Sequence, residues 1–390
     1  MLKKINKIIK KIDKFFFKKF GSDKGTKFLE NIKESEIIFS LLNETGKDSN
    51  IKYVGGCVRK SLTGDSIDDI DFATILEPER VKSKLRQHNI KVIDTGIDHG
   101  TVTAFVNDKK FEITTLRKDI ETDGRHAKIN YTLNWQEDSS RRDFTINSIY
   151  VDSLGRIFDY QNGVSDLRNG KVRFIGSPET RIKEDYLRIL RYLRFFIQYS
   201  KEDHDKEILT SIKKNINGLN NISKERIFDE LKKIFKLKKF DNLFSNSQSK
   251  ELFLNIFPQL KYYDRLKVIK KLSKSLQQKY DNDLILGLLI IDGSNDYDYF
   301  CHKYKTSNNI KDRFKYIIKN FENCTNKNFY SKENIKKLIY FSKKSNVIDL
   351  LLFLVCYDKK THISKVEELI KYVEDCKIPK FPISGDILKK

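Results

Sequence analysis

Asp69 and Asp71, in the stretch DDIDFAT, stand two residues apart in an otherwise apolar run. In a β-strand alternate side chains share a face, so both carboxylates project to one side while Ile70 and Phe72 enter the core. Two carboxylates held together repel unless a cation lies between them. Mg²⁺ suits such a pair: it takes a few carboxylates plus substrate phosphates, and two ions ~3.5 to 4 Å apart can hold the attacking and leaving oxygens of a phosphoryl transfer. On a later hairpin Phe111, Ile113 and Leu116 are expected to be buried, which leaves Glu112 to face the same acids as a third carboxylate. A lone DxD also occurs on solvated strand faces, so its neighbours must decide.

Gly55 and Gly56 end the run IKYV and precede a helix expected from about Val58. Bare backbone there lets N–H groups approach a phosphate at the positive end of the helix. Arg59, in the first turn of that helix, adds a charged fork. The RKS that follows looks like the end of a Walker P-loop, but Val54 and Arg59 stand where that motif needs glycine.

The elements that must position these residues are legible in outline. From Ile51 to about Gly176 the runs IKYVGG, DIDFATI, IKVIDTG, GTVTAFV, KFEITTL and GRIFDY alternate with helical stretches and turns, including a hairpin turn at NDKK, residues 107–110. Beyond Pro178 amphipathic patterns such as RIKEDYLRILRYLRFFIQ and ERIFDELKKIFKLKKF run on with almost no strand signal. The expected fold class is α+β: a head with a mixed β-sheet, then an all-helical neck, body and tail. The expected divisions are a basic helical extension over 1–35, a head over 36–176, a neck over 177–245 and a body and tail over 246–390. The opening MLKKINKIIKKIDKFFFKKF places Leu2, Ile5, Ile8, Ile9 and Ile12 on one face against lysines, and the lack of Arg and Ser in these 20 residues argues against a transit peptide.

A chain of 390 residues with 39% apolar, 12% aromatic and 33% charged residues has material for two or three packed domains. Its formal charge of +22 is spread along the whole length, which favours a polyanionic partner, nucleic acid before membrane. Apart from Arg226, Arg265 and Arg313 every arginine falls between Arg59 and Arg194, in a sequence that otherwise uses lysine. The planar five-donor fork is therefore reserved for the segment that would hold phosphates or bases. LILGLLII and LLLFLVCY are too short to cross a membrane and read as buried helices. Five cysteines without CxxC spacing suggest neither zinc nor disulfides and imply a reducing compartment, the cytoplasm or an organelle matrix.

In order along the chain, GGCVRK…DDIDFAT, TLRKDIETDGRHA, RRDFTINSIY, FDYQNGVSDLRNGKVRFIG and RIKEDYLRILRYLRF resemble the motif set of the class II CCA-adding tRNA nucleotidyltransferases and bacterial poly(A) polymerases, within the polymerase-β-like superfamily. The likeness covers roughly residues 50 to 200. Lys60 departs from it, standing where the family usually carries Asp.

What the resemblance implies is a polymerase-β-like head that holds Mg²⁺ on Asp69 and Asp71. It further implies binding of the nucleotide through Gly55, Gly56, Arg59, Arg142, Asp143, Asp185, Arg188, Arg191 and Arg194, and transfer of CMP and AMP from CTP and ATP to tRNA ends by two-metal chemistry. For Asp143 it implies acceptance from a ribose hydroxyl. The same family leaves open a poly(A) polymerase or an enzyme adding only C or only A. From another class, a non-catalytic RNA-binding protein on this scaffold is the alternative. The chain stops at FPISGDILKK, where family members usually continue, so the tail is expected to be shortened. Oligomeric state is not legible.

A physical argument narrows the nucleotide. If Asp185 and Arg188 lie on one helical face, an acceptor and a donor fork project together. Cytosine and adenine each offer an amino group to the acid and an accepting ring nitrogen to the guanidinium. Uracil and guanine offer the reverse, and two mispaired polar groups cost roughly 2 to 6 kcal/mol. An ordinary helix salt bridge is the commoner use of this spacing. Arg191 and Arg194 continue the stride toward the triphosphate, while Leu187, Leu190, Leu193 and Phe195 are expected in the core.

Four further residues are set apart from the chemistry. His204 and Asp205 are expected on a solvated helix face, Asp166 is expected to order its loop, and Trp135 lies either in a loop beside the site or in packing. The basic helical body is expected to clamp RNA through phosphates, with steep salt dependence.

Overall fold

The computed structural model describes residues 32–43, 50–96, 100–122, 127–326, 328–358 and 362–377. The basic extension, apart from its last four residues, and the segment from 378 onward lie outside them. The chain divides into two units, Met1–Asn221 and Ile222–Lys390.

The first unit is built on a seven-stranded sheet of order β3-β4-β5-β2-β1-β8-β9. Its strands are β1 (Ile51–Val54), β2 (Ile70–Thr74), β3 (Lys91–Gly96), β4 (Thr101–Val106), β5 (Lys109–Thr115), β8 (Ile149–Val151) and β9 (Ile157–Asp159). β6 (Arg117–Thr122) and β7 (Ala127–Tyr131) form a separate antiparallel ribbon. All pairings in the large sheet are antiparallel except β2 with β5. The sheet is mixed, as expected from the sequence, with β8 and the β6–β7 ribbon added. The hairpin between β4 and β5 turns at Asn107 and Asp108, with φ of 47° and 64°. That left-handed pair matches the twist of the strands it joins.

One sheet face is apolar because alternate residues of β2 and β5 make it so: Phe72, Phe111 and Ile113 are buried there, with Ile70 packed beside them. Helices α1 (Lys33–Leu42), α2 (Gly56–Thr63) and α3 (Pro78–Gln87) cover this face through Ile38, Phe39, Leu42, Val58, Val81 and Leu85. Asp71 and Glu112 therefore point to the opposite side, and Asp69 immediately precedes β2.

After β7 come the short helix α4 (Trp135–Ser140), α5 (Gly163–Asn169), α6 (Pro178–Glu184), α7 (Arg188–Tyr199) and α8 (Lys206–Asn215). The continuous amphipathic pattern from Arg181 onward predicted one helix carrying both Asp185 and Arg188, and here the structure differs. α6 ends at Glu184, Asp185 is extended with φ −154° and ψ 105°, and α7 begins at Arg188. The Asp185 carboxylate accepts from the Leu187 N–H at 3.1 Å. A short acidic side chain that captures the N–H two residues on competes with the helical bond, so the helix breaks and restarts. The two residues bracket a turn rather than share a face.

His204 is corrected as well. It is 5% exposed, stacks on Phe196 with ring centroids 3.5 Å apart, and bonds the Tyr192 hydroxyl at 3.0 Å. Periodicity alone put it on a wet face because its two aromatic partners stand on α7. Asp205 caps α8, accepting from the N–H groups of Glu207 and Ile208. Burial pushes the His204 imidazole down to about 4, against a small opposing pull from Asp203. The folded-state value lies below the ordinary one, so the stability from neutral His204 is intact above pH about 6.5 and is lost as pH falls through about 4. Denaturant melts should show the native protein losing about 2 to 3 kcal/mol more than His204→Phe between pH ~7 and pH ~4.5. Equal losses would place the titrating groups elsewhere.

The second unit is helical throughout its described residues. The two apolar runs form the helices Asn282–Ile290 and Lys344–Tyr357, whose Leu284, Leu288, Val347, Leu351 and Leu354 are buried. No helix among the described residues is long and apolar enough to cross a membrane. All five cysteines carry free thiols.

Candidate functional site

The site forms where β1 and β2 lie side by side. Tyr53 pairs with Phe72 in the antiparallel ladder, so the chain leaving β1 at Gly55 passes the end of β2 that carries the acids. Gly55 has φ 73° and ψ −123°, a combination that a residue with a Cβ strongly resists. Gly56 opens α2, two residues before the start the sequence suggested, and a Cβ there would meet nothing within 4 Å. The turn thus presents bare backbone and the first N–H groups of a helix to open space. The Cys57 thiol, buried under the turn, donates to the carbonyls of Val54 (3.3 Å) and Asp71 (3.6 Å) and ties turn to strand.

Across the one parallel pairing of the sheet Asp71 stands directly beside Glu112. Burial pushes the Asp71 carboxyl up to about 6, and the negative charges of Glu112 and Asp69 push the same way. Arg142 and Lys110 offset part of this, and Lys110 pairs with Glu112 at 2.6 Å. The structure therefore brings the three sequence-predicted carboxylates into one electrostatic neighbourhood. The donor set is all carboxylate oxygen, which fits a hard divalent ion. Among the described residues no three or more His, Cys, Asp or Glu groups are already drawn into a metal cage. Lys60, the departure from the family motif, pairs with Asp68 at 2.7 Å, one residue before the acids.

The other predicted residues arrive in two linked groups. In the first, Arg142 points its Nη1 to within 4.0 Å of the place a Gly55 Cβ would take. Its Nε and Nη2 donate to Asp138 Oδ2 at 3.1 and 3.0 Å, and Nε also to the Tyr150 hydroxyl at 3.1 Å. Asp138 is 1% exposed and takes Arg141 on its other oxygen. Burial opposes ionisation of Asp138, but Arg142, Arg141 and Tyr150 outweigh it and hold the carboxyl well below the usual range.

In the second group Arg59 donates from Nη1 to Asn147 Oδ1, Asn147 donates to Asp143 Oδ1 at 2.9 Å, and Arg191 donates to Asp143 Oδ2 at 2.8 Å. Asp143 is held well below the usual range against its burial, chiefly by Arg191 and Asn147. Arg59 is itself buried behind the turn, over the rings of Phe195 and Tyr199. Arg191 and Arg194 also approach Phe195, with guanidinium carbons 5.6 and 4.2 Å from its centroid. The Asn147 carbonyl lies 4.0 Å from the Gly55 Cβ position, so both groups meet at the glycine turn.

Arg188 gives its Nη1 to the Arg181 carbonyl at 2.9 Å and to Glu184, while Glu184 takes Arg181 at 3.0 Å. Asp138, Asn147, Tyr150 and Glu184 were not picked out from the sequence. Spacing could have found Asp138 and Glu184, each four residues from an arginine it pairs with, but not Asn147, which meets Arg59. Trp135 packs edge-on to Tyr150 (5.3 Å) with the Lys52 ammonium 3.3 Å from its ring centre, and Asp166 orders its loop through Thr145 and Arg173.

Comparison with known proteins places the chain in a family. Residues 51–173 match the family model "Poly A polymerase head domain", and 204–264 match "Probable RNA and SrmB- binding site of polymerase A". The mitochondrial CCA tRNA nucleotidyltransferase 1 of Mus musculus is 35% identical over 371 residues, 93% of this chain and 82% of that protein. The CCA-adding enzyme of Lactobacillus helveticus is 34% identical over 284 residues, 69% of this chain and 67% of that one. Among solved structures, the Bacillus stearothermophilus CCA-adding enzyme in complex with CTP matches with TM-score 0.66 and 24% identity, covering 87% of this chain and 81% of that one. The Thermotoga maritima CCA-adding enzyme complexed with tRNA matches with TM-score 0.64 and 18% identity, covering 94% and 89%. At these identities the structural likeness speaks for the fold. With the mouse relative aligned over nearly the whole chain, and the acids, glycine turn and arginines assembled at one end of the sheet, this chain belongs to the CCA tRNA nucleotidyltransferase family.

Proposed function

We propose that Asp69 and Asp71 carry the chemistry of a CCA-adding nucleotidyltransferase in this chain, with Glu112 as their flanking carboxylate. The enzyme extends tRNA 3′ ends with CMP and AMP taken from CTP and ATP, without a nucleic-acid template. The 3′ hydroxyl oxygen attacks the α-phosphorus, the bond to the bridging oxygen of the β-phosphate breaks, pyrophosphate departs with that oxygen, and the hydroxyl proton passes to solvent. Asp69 and Asp71 would hold Mg²⁺, which when bound supplies acidity to the attacking hydroxyl and neutralises charge on the phosphates.

The protein's own groups do the rest. Gly55 and Gly56 bring backbone N–H groups to the triphosphate, and Arg142, aimed by Asp138 and Tyr150, adds a guanidinium beside them. Arg191 and Arg194, with Arg59 behind the turn, extend the positive wall, and Asp143 aligns Arg191 through its carboxylate. Asp185 and Arg188, on the two sides of the α6–α7 break, select cytosine and adenine. Nε and Nη2 of Arg188 make no bond to the described residues, which leaves one edge of the fork for a base.

The observation that carries this assignment is Asp71 beside Glu112 on the sheet face turned away from the helices α1 to α3, next to the Gly55 turn. The test is incorporation into tRNA ending before the first C, at CC, and at CCA, scored at single-nucleotide resolution. The expected products stop at CCA and need both CTP and ATP. Unlimited ATP addition without CTP would instead mark a poly(A) polymerase, addition of one nucleotide type alone a partial enzyme, and no addition a non-catalytic RNA-binding protein.

A further inference from the structure

Tyr186 is one of two residues in the turn between α6 and α7, with Asp185 before it and Arg188 two positions on. Its aromatic ring lies flat against Gly218, in the 3₁₀ turn Ile216–Asn221 that follows α8. A Cβ on Gly218 would stand 2.1 Å from Cδ1 and from Cε1 of Tyr186, and 2.5 Å from Cγ. The clash is with the body of the ring rather than a mobile tip, so no small rotation relieves it. The Tyr186 carbonyl accepts from Ile189 at 3.1 Å and the Asp185 carbonyl from Arg188 at 3.0 Å, so the ring is rigidly attached to the first turn of α7. α8 packs on α6, and Lys214 of α8 pairs with Glu179 of α6 at 2.8 Å. The surface that receives the ring is therefore fixed to the helix on the other side of the break.

From this we infer that Gly218 is a specificity-determining residue: its missing side chain seats Tyr186 and so sets the spacing of Asp185 and Arg188 across the break. The inference rests on the assignment of those two residues as the base-selecting pair. Hydrogen-bond selection demands placement within tenths of an ångström, and a methyl group that drives the ring outward moves the pair by more than that. Gly218 touches neither substrate nor metal, so it is a positioning residue.

The test compares kcat/KM for CTP against UTP, and for ATP against GTP, in Gly218→Ala, Tyr186→Ala, the double variant and Arg188→Ala. Gly218→Ala is expected to lower both preferences by about tenfold or more, and removing the ring in the double variant should abolish any further effect of the methyl beyond Tyr186→Ala. A purely structural role would reduce right and wrong nucleotides alike and leave each ratio unchanged. Should Gly218→Ala fail to fold, Tyr186→Ala carries the test, because emptying the seat should lower the same ratios. If Arg188→Ala loses selection while both Gly218→Ala and Tyr186→Ala keep it, this inference alone falls. If Arg188→Ala itself keeps selection, the base-selecting assignment falls and the role of Gly218 with it.

Discussion

Asp71→Asn is expected to lower nucleotide incorporation by at least about 10³-fold, roughly 4 kcal/mol of transition-state stabilisation, while leaving the protein more stable than before. The first effect follows from removing one of two ionised oxygen ligands, which an amide replaces poorly. The second follows from the electrostatics of the protein groups around Asp71. Burial, Glu112 and Asp69 all raise the Asp71 carboxyl, to about 6. Because the folded-state value exceeds that of the unfolded chain, stability declines as pH rises from the ordinary carboxylate range through about 6, and the cost is fully present at neutral pH. Discounted for partial solvation, the neutral amide should recover about 1 to 3 kcal/mol at pH ~7. Thermal melts without added metal and single-turnover incorporation measure the two effects. A variant that loses activity and stability together would mark Asp71 as a structural acid; one that keeps activity would remove it from the chemistry. Opposed signs are what a site built to hold a cation should show.

Arg188→Ala should lower the preference for CTP over UTP by about 10- to 100-fold, because one of the two mispairing penalties disappears with the fork. Arg188→Lys should not restore it: an ammonium keeps the charge but loses the planar donor edge. Arg188 also belongs to the Arg181–Glu184 ion-pair group. A loss caused only by disturbing that group would slow all four nucleotides equally and lower the melting temperature, so the ratio separates the explanations. If the lysine variant selects as well as the native protein, charge rather than hydrogen-bond pattern is being read.

The head was legible because its strands alternate in period two and its turns carry glycine, asparagine or aspartate. Phe72, Phe111 and Ile113 are buried as the alternation required, and Leu116, just past β5, is buried in a second cluster with Val54, Ala73 and Tyr150. β8 escaped because IYV is only three residues long and all of them are buried, which leaves no alternation to see. The acids and the glycine turn were legible as local patterns, whereas Asp138, Asn147 and Tyr150 were not. Their role depends on which guanidinium they meet: Asp138 and Tyr150 take Arg142 from nearby elements, and Asn147 takes Arg59 from an element distant in sequence.

Local order alone thus settled which residues could form the chemistry: the carboxylate pair at the start of β2, the bare turn after β1, and the arginines of the head. Strand alternation and glycine conformations act over two to four residues, so they are written in the chain itself. Only folding could decide that Asp71 stands beside Glu112, that Arg59 turns inward onto Asn147, that His204 enters the core and that Asp185 breaks the helix before Arg188. Each of these depends on competition among partners for one hydrogen bond or one buried place, and such competition is resolved only when distant segments are packed together.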